Sequence, residues 1–462
     1  MVGPGRETAL MRRGIGFLLR SGMAVALVAT AGATAAAADL RDALVTTYLT
    51  SPRLESGRSE LRQVDELVPQ ALAGYRPSLF LNADVTGERS TIRQGSVVDQ
   101  NRLGRGVNLT LRQNLYSGGG TQAQVSQAEN QVRAQRARLY GLEQQVLLDA
   151  VDAYTAAYRD QVVLDLALNN EERLKRQLEA TRDRFEVGEV ARTDVAQAEA
   201  RLSRARADVE QAKADLASSR AFYERVVGEA PSALKEPKVL QELPKTEAET
   251  RAIAAQNPDI IAATFDLYAA RDNVDVQFSS LLPSLDLQGV LEYNDDPTAN
   301  VEWGRTAALG LNLSVPLYQG GGEYSRVRES RQRVRQQRDL LESAHRSVQE
   351  LVTASWERLL AATAAIEAFK AEVRANEIAL EGVQQEALVG ARTVLDVLDA
   401  EQELFTSQVN LVRASREEIL ASYQLKLAIG QLTVEGLTLP IEPFDAVAYY
   451  DRNRTRLFGL SD

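Results

Sequence analysis

The sequence predicts a mainly α-helical protein with a smaller β portion, built from two copies of one structural unit. Three observations lead to this prediction. The chain contains an internal repeat, each copy has a segment of alternating apolar and polar residues, and each alternating segment is followed by a very long stretch without proline. Internal repeats are informative because each copy must adopt the same local structure.

The repeat is clearest at two glycine-rich segments. Leu115–Gly120 reads Leu-Tyr-Ser-Gly-Gly-Gly, and Leu317–Gly322, 202 positions later, reads Leu-Tyr-Gln-Gly-Gly-Gly. The same offset maps Gly188 onto Gly390. Upstream the offset becomes 206, because an intervening loop differs in length and loops tolerate such changes.

Each copy is predicted to contain a helical stretch, a β-hairpin, a long helix and a return helix. The first helical stretches are Leu40–Ala73 and Thr250–Ser280. The predicted boundaries are a signal peptide at 1–38, copy one at 39–230, a linker at 231–249, copy two at 250–430 and a C-terminal segment at 431–462. Copy one contains a hairpin at 77–116, a long helix at 121–187 and a return helix at 193–227. Copy two contains a hairpin at 283–318, a long helix at 323–389 and a return helix at 393–429.

The hairpins are predicted from a period of two. Leu79, Leu81 and Val85 alternate with polar neighbours, and polar loops are expected at Ser90–Arg102 and Asn294–Gly304. Alternation in runs of about ten residues is the signature of membrane β-strands. On the pattern alone, a half-buried soluble hairpin is the simpler interpretation.

The long helices require partners outside a single globule. Thr121–Val187 has no proline, carries apolar residues at coiled-coil spacing, and would span roughly 100 Å as a helix. Four strands in one chain would leave two open edges, which a bilayer does not tolerate. Both problems are solved if several chains close into one barrel above and one helical cylinder below. Twelve strands from three chains would fit the even count typical of such barrels.

The N-terminus is typical of a secretory signal peptide. Arg12, Arg13 and Arg20 precede the apolar run Gly22–Ala31, and small residues at Ala36–Ala38 suit a signal peptidase. An N-terminal membrane anchor is the alternative, although the run is short for a membrane helix. The start codon could encode Met1 or Met11.

Composition excludes several functions. The net charge of −11 argues against a nucleic-acid partner, and the lack of cysteine removes disulfides, thiol catalysis and an N-terminal lipid on cysteine. The single histidine, His345, cannot form a triad or a convincing metal site. We therefore predict no catalytic residues, no metal and no cofactor.

The glycine-rich segments could suggest a phosphate loop, since each lies between a strand and a helix. They lack the Lys-Ser/Thr of such a loop. Because the segment is present in both copies, we predict structural strand–helix junctions at Gly118, Gly119, Gly120, Gly320, Gly321 and Gly322.

The whole mature chain resembles the TolC family of outer-membrane channel proteins. The resemblance lies in the doubled plan, the two Leu-Tyr-x-Gly-Gly-Gly junctions and the run Val389–Ala400, which is similar to the inner helical turn of the family. It implies a homotrimer with a β-barrel in the outer-membrane lipid and a helical tunnel in the periplasm. It also implies a periplasmic adaptor protein and an inner-membrane ABC exporter or proton-driven pump as partners.

The resemblance also implies a gate. Asp396 and Asp399 match the aspartates that line the pore constriction, and their i, i+3 spacing places them on one helix face. Arg392 matches an arginine that ties the inner turn to a neighbouring helix pair, and Thr193 and Asp194 match its partners in the outer turn. Without the resemblance, two solvated surface carboxylates would be the simpler interpretation.

The two tip turns are expected to dock the adaptor in this family. They are Val187-Gly188 and Val389-Gly390. Two departures from the family pattern affect these expectations: Ala387 stands where a latch tyrosine is found, and Glu189 stands where an apolar residue is common.

The sequence therefore predicts a passive outer-membrane exit duct, serving type I protein secretion. Multidrug or small-molecule efflux is the alternative within this class. A periplasmic coiled-coil scaffold or adaptor, and an exported enzyme with paired carboxylates such as a glycosidase, are the alternatives outside it.

Overall fold

A computed structural model describes residues 39–94, 96–298 and 301–460, so the predicted signal peptide lies outside the described residues. The described chain is mainly helical with one antiparallel sheet. Its elements are α1 (Leu40–Thr50), α2 (Pro52–Asp65), α3 (Leu67–Leu72), β1 (Ser78–Gln94), β2 (Ser96–Ser117), α4 (Gly120–Glu186), α5 (Arg192–Val227), α6 (Glu247–Ala254), α7 (Pro258–Ser279), β3 (Ser284–Thr298), β4 (Val301–Ser314), α8 (Gly322–Leu388), α9 (Val394–Ala428) and α10 (Ala448–Asn453).

Proline divides the first helical stretch of each copy, which the sequence analysis had treated as continuous. Pro52 begins α2 and Pro258 begins α7. Proline suits the first helical position, because the N–H it lacks would have no partner there, but it disfavours helical backbone in the residue before it. Ser51 is accordingly extended, with a ψ of 116°.

The long helices α4 and α8 each contain 67 residues, which corresponds to roughly 100 Å. Half of each helix is paired with a return helix, α4 with α5 and α8 with α9. The α4–α5 pair is apolar along its seam, where Ala198, Leu202 and Val209 are buried on α5. The other half of α4 contacts α2 and α7, and that of α8 contacts α7.

The four strands form one sheet in the order β1-β2-β3-β4, and every neighbouring pair is antiparallel. Leu81 lies opposite Leu109, which in turn lies opposite Leu291 on β3. β1 and β4 are the edge strands, so each has one side without a strand partner in the described part of the chain.

The predicted polar loops at Ser90–Arg102 and Asn294–Gly304 are wrong in their extent. The β1–β2 ladder continues to the pair Gln94 and Ser96, and the β3–β4 ladder continues to Thr298 and Val301 with one irregularity. A hairpin does not need apolar residues to continue, because the inter-strand hydrogen bonds are made by the backbone.

The largest core cluster surrounds the middle of the protomer. It joins α1, the central part of α4, the ends of α5 and α9, and the chain after α9. Tyr154 and Tyr223 are its largest fully buried side chains, and the Tyr154 hydroxyl donates a hydrogen bond to the Lys235 carbonyl at 2.8 Å. This belt fixes the two helical hairpins relative to each other.

Candidate functional site

The two helical hairpins end in turns of the same construction. Gly188 has a φ of 81° and Gly390 a φ of 78°, values that favour glycine. In the tip turn at Gly188, the Glu189 N–H donates to the Arg184 carbonyl at 2.9 Å, a 6→1 bond typical of a glycine-terminated helix. The predicted tip residues therefore have a structural reason to be present.

The tip turns also expose apolar side chains. Val187 and Val389, the residues before the two glycines, are exposed, as is Leu388. The structure thus places all four predicted tip residues at the surface of the two turns, where a partner could reach them.

Asp396 lies in the first turn of α9 and caps that helix. Its Oδ2 accepts hydrogen bonds from the Thr393 N–H and the Thr393 hydroxyl, both at 2.8 Å, while the Asp396 N–H donates to the Thr393 Oγ1 at 3.2 Å. The backbone bond, then the hydroxyl, and then the nearby Arg392 charge lower the pKa of Asp396. The carboxylate is therefore charged at neutral pH.

Asp399 lies one turn further along the same helix and contacts the outer hairpin. The Arg201 Nη2 on α5 donates to the Asp399 Oδ1 at 2.5 Å. Asp399 remains exposed despite this ion pair. The sequence analysis missed Arg201, because no repeat or motif connects it with the tip of α9.

The face of α9 that carries Val394 and Leu398 is apolar and packs against the outer hairpin. Leu398 is 1% exposed and contacts a cluster that includes Leu174 on α4 and Leu202 on α5. Val394 belongs to the same cluster. The inner hairpin is thus attached to the outer hairpin of its own protomer mainly by apolar packing.

A buried carboxylate follows this apolar face. Glu401 is 4% exposed, and its Oε2 has no hydrogen-bond partner in the described part of the chain. Burial raises the pKa of Glu401, and the positive charge of Arg173 on α4 opposes this effect. Glu401 was also missed by the sequence analysis, since an acidic residue in a helix gives no signal of burial.

Within its own protomer, Arg392 is paired with a residue of the same helical hairpin. Within the protomer its Nε donates to the Glu386 Oε2 at 2.8 Å, and this bond raises the pKa of Arg392. The described contacts of Arg392 do not include Thr193 or Asp194. Asp194 instead accepts a hydrogen bond from the Ala191 N–H at 3.0 Å and caps α5.

The glycine-rich junctions lie where the strands pass into the long helices. Gly119 precedes α4 with a φ of 81°, and Gly321 precedes α8 with a φ of 83°. A side chain at these positions would be strained. No cluster of three or more potential metal ligands occurs among the described residues.

The opposite end of the protomer, the sheet, has one apolar face. Leu81 is 70% exposed and Leu309 is 74% exposed, although both belong to apolar positions of the ladder. The other face carries polar residues such as Asn108 opposite Glu292. Apolar residues outside and polar residues inside are the pattern of a membrane barrel. None of the described helices is long and apolar enough to cross a membrane.

A lipid-facing sheet joined to long helical hairpins defines the protomer of an outer-membrane channel, and comparison with known proteins agrees. The family model described as "Outer membrane efflux protein" matches residues 43–229 and 251–431. Outer membrane efflux protein BepC of Brucella suis biovar 1 is 33% identical over 431 residues, which cover 93% of each chain.

Two further relatives extend this result. Outer membrane protein TolC of Vibrio cholerae serotype O1 is 29% identical over 396 residues, covering 84% of this chain and 89% of that protein. The crystal structure of the outer membrane protein VceC from Vibrio cholerae matches with a TM-score of 0.75 at 19% identity, covering 85% of this chain and 96% of the other.

The chain therefore belongs to the outer membrane efflux protein family. The predicted resemblance to TolC, the fold class and the location in the outer membrane are confirmed. Members of this family are passive channels, so the prediction of a channel instead of an enzyme is confirmed as well.

Proposed function

We propose that three copies of this chain form an exit duct, which receives substrates from a periplasmic adaptor and an inner-membrane transporter and releases them outside the cell. The observation that carries this proposal is that the sheet and a pair of acidic residues lie at opposite ends of the long helices in one protomer. A lipid-facing sheet lies at one end of the 67-residue helices, and a pair of carboxylates, Asp396 and Asp399, lies beside their far end.

The unpaired edges support assembly of several copies. Within the protomer β2 pairs with β3, and α4 contacts both α7 and α9. The corresponding elements of the second copy, β4 and α8, lie at the edge of the protomer. Pairing β4 with β1 of the next protomer would repeat the β2–β3 arrangement and close the barrel.

The gate would lie where three inner hairpins approach one axis. Asp396 and Asp399 from three copies would give six carboxylates at the constriction, which attract cations and repel anions. Since Asp396 is fixed by Thr393 and Asp399 is held by Arg201, the ring would be positioned by helix capping and by the outer hairpin.

Opening the gate would require the inner hairpin to move. The seam of Leu398 against Leu174 and Leu202 opposes separation of the two hairpins within a protomer. Contacts across protomers would complete the latch, and Arg392 with Thr193 and Asp194 of an adjacent hairpin remains our candidate for that role.

Ion selectivity tests the carboxylate ring. In planar bilayers, Asp396→Asn with Asp399→Asn should lower cation preference and weaken block by multivalent cations, because fixed charge in a narrow pore sets selectivity. Alanine at both positions should do the same and loosen the α9 cap as well. Glu186→Ala, an exposed carboxylate at the outer tip, is the control and should leave selectivity unchanged.

The latch has a separate test. Arg392→Ser should raise conductance with selectivity largely retained, because it loosens closure without removing pore charge. Unchanged selectivity in the Asp396/Asp399 double variant would show that these carboxylates do not line the pore. Unchanged conductance in Arg392→Ser would remove the latch and leave the ring intact.

Type I protein secretion remains our proposal for the exported substrate, with small-molecule efflux as the alternative. Curated relatives include proteins named for protease secretion and proteins named for efflux. A deletion strain distinguishes them. Loss of a protein from the culture medium supports secretion, whereas unchanged medium with greater sensitivity to antibiotics supports efflux.

A further inference from the structure

The chain after α10 exposes three large apolar side chains in succession. Leu457 is 65% exposed, Phe458 is 89% exposed and Leu460 is 105% exposed. Single exposed apolar residues are ordinary, but three within four positions form a patch that favours removal from water.

This segment is attached to the base of the sheet. The Arg76 Nη1 donates to the Arg456 carbonyl at 3.1 Å, and Arg76 lies two residues before Ser78, where β1 begins. The apolar segment therefore lies beside the end of the sheet that joins the helices, which is the periplasmic end of the membrane portion.

The chain next to Arg76 contacts the apolar side of the sheet. The Gln113 Nε2 donates to the Tyr75 carbonyl at 2.7 Å. Gln113 follows Leu109 and Leu111 at a spacing of two, and alternate residues of a strand face the same side. Tyr75, the residue before Arg76, is thus bonded to a residue on the side of the sheet that faces lipid.

The segment is held in its position by polar contacts. The Arg456 Nε donates to the Phe458 carbonyl at 3.2 Å, and its Nη1 donates to the Asn453 Oδ1 at 3.1 Å. The preceding helix is bound to the long helix through the ion pair of Arg454 with Glu129 at 2.7 Å. These contacts fix the position of the segment that carries the three exposed apolar side chains.

The surroundings match the chemistry of a membrane interface. Tyr75 is exposed beside Arg76, and aromatic residues at the rim of a barrel favour the headgroup region. Basic side chains suit phospholipid headgroups, and Arg76 and Arg456 flank the patch.

We propose that residues 457–460 insert their apolar side chains into the periplasmic leaflet of the outer membrane, as a phospholipid contact separate from the barrel wall. The contact extends the lipid-facing surface of the sheet below the strands. It would fix the height of the helical portion relative to the bilayer.

Site-directed spin labelling tests this proposal, because the chain has no native cysteine. Phe458→Cys carries a nitroxide in the assembled full-length protein, reconstituted in vesicles of phosphatidylethanolamine and phosphatidylglycerol. Accessibility to oxygen, which concentrates in lipid, is compared with accessibility to a water-soluble nickel chelate. Leu81→Cys on the apolar face is the lipid control, and Glu186→Cys at the helical tip is the water control.

The expected oxygen-to-nickel ratio at position 458 is close to that of Leu81→Cys and several-fold above that of Glu186→Cys. A ratio equal to the tip control would overturn the proposal, since the segment would then lie in water. Exclusion of both reagents would overturn it as well, because protein from another copy would then cover the patch. Leu460→Cys repeats the measurement where Phe458→Cys fails to assemble.

Discussion

The two long helices have the same length but very different surroundings, and this contrast shows how the protomer is incomplete. Along α4, buried residues occur from the junction nearly to the tip, whereas on α8 far fewer residues are buried. α8 instead exposes Leu340, Leu360 and Ile378. Copy one is enclosed by the rest of its own chain, and copy two requires another chain.

The two glycine junctions show the same contrast at atomic scale. A Cβ added at Gly120 would lie 2.4 Å from the Ser279 Oγ, and one added at Gly118 would lie 2.6 Å from the Leu282 Cβ. A Cβ added at Gly320 or Gly322 would have no atom of the described residues within 4 Å. The partner of the second junction is therefore expected on a neighbouring protomer.

The strand edges allow the most decisive test of this contrast. Leu109 on β2 lies opposite Leu291 on β3, and applying the repeat offsets to this pair places Leu311 opposite Val85 of the next protomer. Cysteines at positions 311 and 85 should form a disulfide between chains, because opposed Cβ atoms lie about 5 Å apart. Non-reducing electrophoresis should show nearly complete conversion to cross-linked trimer.

The matched control for the cross-link moves one cysteine along the strand. Leu311→Cys with Leu79→Cys places the two thiols six residues apart in register, about 20 Å away. Cross-linking of this control, or of neither pair, would contradict the inferred β4–β1 register.

Alanine at the two junctions tests whether the second one has a partner. Neither Gly120 nor Gly322 has a positive φ, so the substitution tests packing alone. Gly120→Ala meets Ser279 in its own chain and should lower the free energy of unfolding of the protomer by about 1 to 3 kcal/mol.

Gly322→Ala should leave the isolated protomer unaffected and weaken only the trimer. Thermal unfolding in detergent and the concentration dependence of trimer formation distinguish these effects. Equal loss of protomer stability in both variants would mean that the two junctions do not differ in the way proposed.

Much of the fold could be predicted from the sequence because it depends on local rules. The repeat offset indicated both long helices, and period-two alternation indicated the hairpins around Leu81 and Leu309. The polar loops were placed too early, since a β-ladder is maintained by backbone bonds and polarity gives no information about where it ends. The break before Pro52 follows from a local rule as well, because proline disfavours helical backbone in the residue before it, so the continuous helix predicted over Leu40–Ala73 is wrong.

The candidate site could be predicted only in part. Asp396 and Asp399 were found through the resemblance, and glycine at the tips through turn geometry. Arg201 and Glu401 could not be found, because their importance depends on which faces of α5, α9 and α4 meet. Three-dimensional packing decides that, and no short motif records it.

A difference between the copies in charge leads to a pH prediction. Asp65 in copy one corresponds to Arg271 in copy two. Burial raises the pKa of Asp65 from 3.8 to about 6, while Arg136 lowers it and Glu66 raises it. The folded state therefore binds a proton between about pH 4 and 6, where the unfolded state has lost it.

Stability should accordingly fall as the pH rises through this window. Asp65→Asn imitates the protonated form. It should make the free energy of unfolding depend less on pH, and it should raise the melting temperature at pH 8 more than at pH 4. Asp42→Asn in α1 is a control. If the stability of Asp65→Asn depends more steeply on pH than that of the unsubstituted protein, the ion pair with Arg136 outweighs the cost of burying Asp65.

The smallest expected effect concerns the two tip caps, which differ by one hydroxyl. The Thr393 hydroxyl at the start of α9 both donates to and accepts from Asp396. At the start of α5, Ala191 has only backbone bonds with Asp194: its N–H donates to the Asp194 carboxylate and its carbonyl accepts from the Asp194 N–H, both at 3.0 Å. Thr393→Ala should make the inner tip resemble the outer one, and Ala191→Thr should do the reverse, because a threonine hydroxyl adds a side-chain hydrogen bond to a first-turn N–H. Amide hydrogen exchange should become several-fold faster in the first turn of α9 and slower in the first turn of α5. The α9 cap contributes most above the ordinary aspartate pKa of about 4, since the pKa of Asp396 is lowered in the folded state, and its contribution should be lost as the pH falls below that value. If the amide hydrogen exchange rates at the two tips are equal and neither substitution changes them, the turns, and not the caps, determine how firmly the inner hairpin is held.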